Sequence, residues 1–331
     1  MSNVAARPAE IHCERGPATV DESGRPQVEV ITPREVPLGG LRAMSVRRTL
    51  PQRQRSLVGA WCFADHYGPD DVTATGGMDV GPHPHTGLQT VSWLFAGEIE
   101  HRDSSGVHAT VRPGELNLMT GGRGICHSEV SRPRTTILHG VQLWVALPDR
   151  SRDAPRAFQH HVPTSVALEG ASVRVFLGAL VGESSPIATF SPLVGAEITL
   201  QPRSGVGLDV DPAFEHGVLV DTGPVMLADT ELARSELGYI GTGTPALTLA
   251  NRTDEPARVV LLGGEPLDEE IVMWWNFVGR SHDEIAAFRE EWQHESDRFG
   301  RVEGYRGSPR RLPAPALPNA TLRPRRNPRN R

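Results

Sequence analysis

The chain has 331 residues, 38% hydrophobic and 22% charged, which excludes a globally disordered polypeptide and leaves room for one large domain or two compact ones. With 34 Gly and 28 Pro, the composition favours a turn-rich β architecture over a helical bundle. The net charge of −6 is uneven: residues 306–331 hold eight Arg and no acid, so residues 1–305 carry 26 Arg against 40 acids, or −14, which argues against a nucleic-acid groove in the body.

Residues 1–25 are polar, punctuated by Pro and Gly, and read as a flexible leader without the apolar stretch of a secretion signal. No run approaches the roughly 20 apolar residues that span a bilayer. The three cysteines, Cys13, Cys62 and Cys126, match no disulfide framework, and a cytoplasmic location is expected. Alternation over 27–32 predicts the first strand. The segment 46–57 packs four Arg into twelve residues and reads as a solvated edge or turn, with an anion-binding lip as the sharper alternative.

The aromatic stretch 61–68 leads into a Gly/Asp-rich loop, 68–82. Short β-like runs follow at 88–95, 98–102, 107–111, 115–119, 125–130 and 137–146, with turns at Ala96-Gly97 and Pro113-Gly114. Their spacing predicts an antiparallel sandwich or barrel. A polar link, 148–165, separates them from a second series at 172–177, 195–200, 206–210, 217–221, 224–228, 237–241, 246–250 and 258–262. The expected division is therefore a domain over 26–150 and another over 151–300. A helix over 281–299 closes the second: Ser281 and Glu284 form a capping box, Ile285, Phe288 and Trp292 make an apolar stripe, Phe299 follows, and Gly300 marks the stop. The Arg/Pro-rich segment 301–331 reads as a disordered tail, the one place where nucleic acid or an acidic partner would bind.

Chemistry concentrates between Gly81 and Glu129. The stretch opens GPHPHTGLQT and closes GGRGICHSE, so each end carries two metal-ligand types one residue apart: His83 with His85, and His127 with Glu129. In a strand, residues i and i+2 share a face, so each pair can aim at one point and two neighbouring strands can close a four-ligand site. Imidazole and carboxylate suit Fe(II), Mn(II), Ni(II), Cu(II) or Zn(II), and four such ligands leave a position open for substrate or dioxygen. Cys126 faces away from this set. The other histidines, His12, His66, His101, His108, His139, His160, His161, His216, His282 and His294, read as core or surface residues. The second series of strands has no His-x-His or His-x-Glu pair.

These motifs, GPHPHTGLQTVSWLFAGEIEHRDSSG, PGELNLMTGGRGICHSE and HGVQLWVALP, resemble the pirin family of the cupin superfamily, with a weaker likeness through GGEP (263–266) and WWNF (274–277) to the last helix. The resemblance covers about residues 27–300. It implies an all-β bicupin, two antiparallel β-barrels face to face with a C-terminal helix, holding one divalent metal, typically iron, in the first barrel. It places the ligands on His83, His85, His127 and Glu129. An ordinary cupin carries a His where Asn117 stands, and Cys126 replaces a usual aliphatic residue. For function it implies two alternatives. One is an iron-dependent dioxygenase of the quercetin 2,3-dioxygenase type, acting on a flavonol-like substrate with dioxygen, with Glu129 as a ligand that doubles as general base; by alternation past His85, Gln89 reads equally as a pocket-lining or a structural residue. The other is a redox-responsive protein that regulates a transcription or metabolic partner.

Overall fold

A computed structural model describes residues 27–38 and 44–324, and places most of them in antiparallel strands. The leader, Cys13 and residues 325–331 lie outside the described residues. The first half builds a seven-stranded sheet in the order Ala157–His161, Leu116–Thr120, Leu88–Ala96, Ile137–Ala146, Trp61–Asp71, Met44–Leu50 and Arg34–Leu38. A four-stranded sheet, Asp79–His85, Ile125–Ser131, Ile99–Asp103 and His108–Val111, shares its core. The second half repeats the plan. Its large sheet runs Glu29–Ile31, Leu237–Ile240, Glu215–Thr222, Ala257–Gly264, Leu193–Leu200, Ala171–Leu177 and Ser165–Leu168. Its small sheet runs Ser204–Asp209, Ala246–Asn251, Val225–Leu227 and Thr230–Leu232. The expected bicupin is there, but each half is an open sandwich of two sheets rather than a closed barrel.

Strand alternation explains the layering. In Ile137–Ala146, Val141, Leu143 and Val145 face one way and meet Phe176, Leu219, Val260 and Leu262 of the second half. The two large sheets thus pack on each other, and because they are buried on both faces their strands are apolar in long runs. The halves approach closely at Gly59, whose φ is +53°: a Cβ there would lie 2.7 Å from the Cα of Gly264. Polar groups at this seam are paired. The Trp61 indole donates to the Gly263 carbonyl at 3.1 Å, the Trp93 indole donates to Glu197 at 2.8 Å, and Glu215 accepts from the Gly59 amide and the Tyr239 hydroxyl, both at 2.7 Å.

Several expectations change. The first strand, Glu29–Ile31, pairs with Leu237–Ile240, so the N-terminal strand completes the sheet of the second half. The link carries its own strand, Ala157–His161, on the edge of the first large sheet. The Arg-rich segment is not a solvated turn. Arg48 is buried against Asp65 at 2.6 Å, and Arg55 is buried against Glu29 at 2.6 Å with its guanidinium over the Tyr239 ring. These partners come from neighbouring strands, and burial of Arg is tolerable only with such pairing.

The helix spans His282–Gln293, shorter than expected. Ser281 caps it by accepting from the Glu284 amide, and Glu284 reaches back to the Arg280 amide. The chain then turns through Glu295 at φ +54° and swings Phe299 edge-on to Trp292, ring centroids 5.4 Å apart. Residues 301–324 have no regular structure, yet they are laid on the body rather than loose. Arg311 sits over the Trp292 ring, Leu312 donates its amide to the Pro82 carbonyl at 2.8 Å, the Tyr305 hydroxyl donates to Asp79 at 2.9 Å, and Ala314 and Leu322 are buried. Backbone hydrogen bonds and one stacked Arg hold what composition alone marks as disordered.

Candidate metal centre

The two ligand-bearing strands are antiparallel neighbours. His83 lies opposite His127, His85 lies opposite Ile125, and the register slips between His127 and Glu129. His83, His85 and His127 are buried, and their Nε2 atoms converge: His127 is 2.8 Å from His83 and 3.0 Å from His85. Candidate ligand atoms of all three lie within 4.8 Å of one another. Burial, with crowding from neighbouring imidazoles, holds His85 and His127 well below the usual histidine range; His83 is lowered to about 4 by burial, against the opposing pull of Glu129. The rings are therefore neutral, the form that ligates metal.

The donor chemistry fits a cation. His83 Nδ1 is 2.8 Å from the Gly81 carbonyl, which can only accept, so the His83 proton sits on Nδ1 and its Nε2 is a bare lone pair. That lone pair points at two more Nε2 atoms. Glu129, two residues beyond His127 and buried beside it, falls outside the 4.8 Å set. Of the four expected ligands, the structure brings three together and leaves the carboxylate in the next position along the strand.

Other singled-out residues fall as follows. Cys126 faces the opposite side, in the cluster with Trp292 and Phe299, and burial pushes its thiol up to about 11. It behaves as a small apolar side chain. Asn117 donates to the Glu115 carbonyl from a strand of the large sheet. Gln89 is buried and donates to Thr120 at 3.0 Å.

Two groups escaped the sequence reading. His101 and Asp103 stand behind His127, on the strand Ile99–Asp103. Their i, i+2 spacing repeats that of the ligand pairs, and was the available signal. The second group, His66, His139 and Asp221, joins the halves. Asp221 Oδ1 accepts from His66 at 2.7 Å and His139 at 2.5 Å, Arg258 pairs with Oδ2 at 2.7 Å, and Ser235 meets His66 Nδ1 at 2.9 Å. Three distant strands supply it, so no local motif announces it.

Burial lowers His66 and His216 to about 4 each, in His66 despite the hydrogen bond to Asp221. The unfolded chain takes these protons near pH 6.5 and the native state refuses them until about 4, so this stabilisation is complete above 6.5 and is lost as pH falls. Unfolding free energies of metal-free protein from urea titrations at pH 7, 6 and 5 are expected to drop, by about 1.4 kcal/mol per pH unit for each histidine inside that window. A flat profile between pH 7 and 5 would refute this.

Comparison with known proteins agrees with this architecture. Family models described as Pirin and as Pirin C-terminal cupin domain match residues 42–145 and 195–300. A Pseudomonas aeruginosa protein, provisionally named a quercetin 2,3-dioxygenase, is 44% identical over 289 residues, 87% of this chain and 90% of its own length. A pirin-like protein of Caulobacter vibrioides is 34% identical over 75% of this chain and 88% of its own. Among solved structures, a quercetin 2,3-dioxygenase from Acinetobacter baumannii superposes with a TM-score of 0.85 at 36% identity, covering 90% of this chain and 97% of its own. No helix among the described residues is long and apolar enough to cross a membrane. With both halves matched in order and near-full-length relatives at this identity, the chain belongs to the pirin family of bicupins.

Proposed function

We propose that the protein is a metal-dependent dioxygenase of the quercetin 2,3-dioxygenase type, using Fe(II) and dioxygen on a flavonol-like substrate. The observation that carries this is the convergence of three neutral imidazole nitrogens, with Glu129 next in line on the same strand. His83, His85 and His127 would hold the ion, and Glu129 would complete the set. A bound Fe(II) would supply Lewis acidity toward the substrate's 3-hydroxyl and reactivity toward dioxygen.

The protein's own groups do the rest. Gly81 fixes the His83 ring by accepting from its Nδ1. The Glu129 carboxylate takes the 3-hydroxyl proton and so serves as general base. One flavonol and one dioxygen give one ring-opened depside and one carbon monoxide, with no other reductant consumed.

Protein loaded with Fe(II) under anaerobic conditions and then given quercetin in air is expected to consume oxygen and release carbon monoxide in equal amounts. His85→Ala should abolish both. Oxygen uptake no greater than that of the variant, in iron-replete protein, would overturn the dioxygenase reading and leave partner regulation as its alternative.

A further inference from the structure

The small sheet flanks the ligand strand Ile125–Ser131 on both sides, with Asp79–His85 on one and Ile99–Asp103 on the other. His127 lies opposite His83 in the first pairing and opposite Asp103 in the second. Across the second pairing, His127 Nδ1 is 3.3 Å from His101 Nδ1. His101 Nε2 is 3.2 Å from Asp103 Oδ2. All three side chains are buried, and Phe158 covers the His101 ring at a centroid distance of 4.8 Å.

The direction of these bonds follows from the end of the chain of contacts. Asp103 Oδ1 already accepts from the Ser105 amide at 2.8 Å, the Ser105 hydroxyl at 2.6 Å and the Val107 amide at 3.2 Å. A carboxylate that accepts three hydrogen bonds in this way is favoured in its ionised form. An ionised carboxylate only accepts, so the His101 proton sits on Nε2. With the Nε2 proton turned to Asp103, His101 presents Nδ1 to His127 as the acceptor. The proton of His127 must therefore sit on Nδ1, which leaves its Nε2 lone pair facing His83 and His85.

We propose that His101 and Asp103 are positioning residues of the metal centre: Asp103 fixes the proton of His101, His101 fixes the proton of His127, and His127 is thereby held as a ready ligand. The inference rests on the metal reading above. Outer partners of this kind raise ligand basicity as well as orienting the ring. The negative charge of Asp103 thus reaches the centre through two imidazoles and favours the higher oxidation state of a bound metal.

Asp103→Asn tests the direction of the relay. Its carbonyl oxygen can keep the Ser105 and Val107 bonds, which turns its NH2 toward His101. His101 must then carry its proton on Nδ1, against the proton on His127 Nδ1. Fe(II) affinity, measured anaerobically by competition with a chromophoric chelator, is expected to fall about 10–100-fold, and the Fe(III)/Fe(II) potential to rise. His101→Leu should lose affinity similarly. His101→Gln should stay within a few-fold of the parent, because its carboxamide can accept from His127 and donate to Asp103 in the same order. Urea unfolding of each metal-free variant separates these effects from lost stability, and His101→Leu serves if Asp103→Asn does not fold. Parent-like affinity and potential in both Asp103→Asn and His101→Leu would overturn the relay while leaving the metal site standing. Failure of the parent to bind Fe(II), or parent-like binding by His83→Ala, would instead overturn the metal reading and the relay with it.

Discussion

His127→Ala is expected to give a folded protein that no longer retains metal. His127 is the hub of the cluster, with His83 and His85 both reached by its Nε2 at 2.8 and 3.0 Å. Without it, two imidazoles on one strand remain, and the facing strand offers only the Glu129 carboxylate, which lies outside the histidine cluster. Removing an outer-shell partner typically costs 10–100-fold in metal affinity, so loss of a direct ligand should exceed ~100-fold. The neighbours that define the fold at this point are backbone pairings, which Ala preserves. The cost to the metal-free fold should therefore be modest, about 1–3 kcal/mol for the lost contacts and the space left behind. Metal content after dialysis against trace metal, beside a urea titration of the metal-free variant, checks both. A variant that keeps stoichiometric metal would sink the assignment.

Asp221→Ala should be the most destabilising single change at the seam between the halves, by about 3–5 kcal/mol. One carboxylate accepts from His66 and His139 through Oδ1 and pairs with Arg258 through Oδ2. Its removal leaves two buried imidazoles without their acceptor and one guanidinium without its anion. Arg258 keeps some exposure and its place over the Phe95 ring, so it can be partly resolvated, which argues for the lower end of the range. Asp221→Asn retains the shape and should cost less. Urea unfolding at pH 7 measures the difference, and a loss under 1 kcal/mol for the Ala variant would show that the network contributes little.

The histidine cluster was legible because strand geometry has period two: His83 and His85 share a face for that reason, and antiparallel pairing sets His127 opposite them, whereas Glu129 lies past a register slip and outside the cluster. The helix start was legible for a similar reason, since Ser281 and Glu284 act locally. Its end was not: the turn at Glu295 and the return of Phe299 to Trp292 are set by packing that no local pattern records. Arg48 and Arg55 looked solvated because Asp65 and Glu29 become their neighbours only when strands pair. Residues 301–324 looked disordered because composition cannot reveal that Pro82 and Trp292 offer them an acceptor and a ring. The group at His66, His139 and Asp221 joins strands of both halves, so it exists only after the two sheets meet.

The arm that lies along Asp79–His85 also sets an order of events in the cell. That strand is the outer edge of the small sheet, and the arm covers it through Leu312 on Pro82 and Tyr305 on Asp79. Tyr305 follows Asp79 by 226 positions. At a synthesis rate of roughly 5–20 residues per second, the nascent edge therefore waits about 10–45 s for its cover. During that interval the strand bearing His83 and His85 lacks this cover, and an uncovered edge carries the hazard of pairing with another chain. The arm is thus the last described segment to reach this edge.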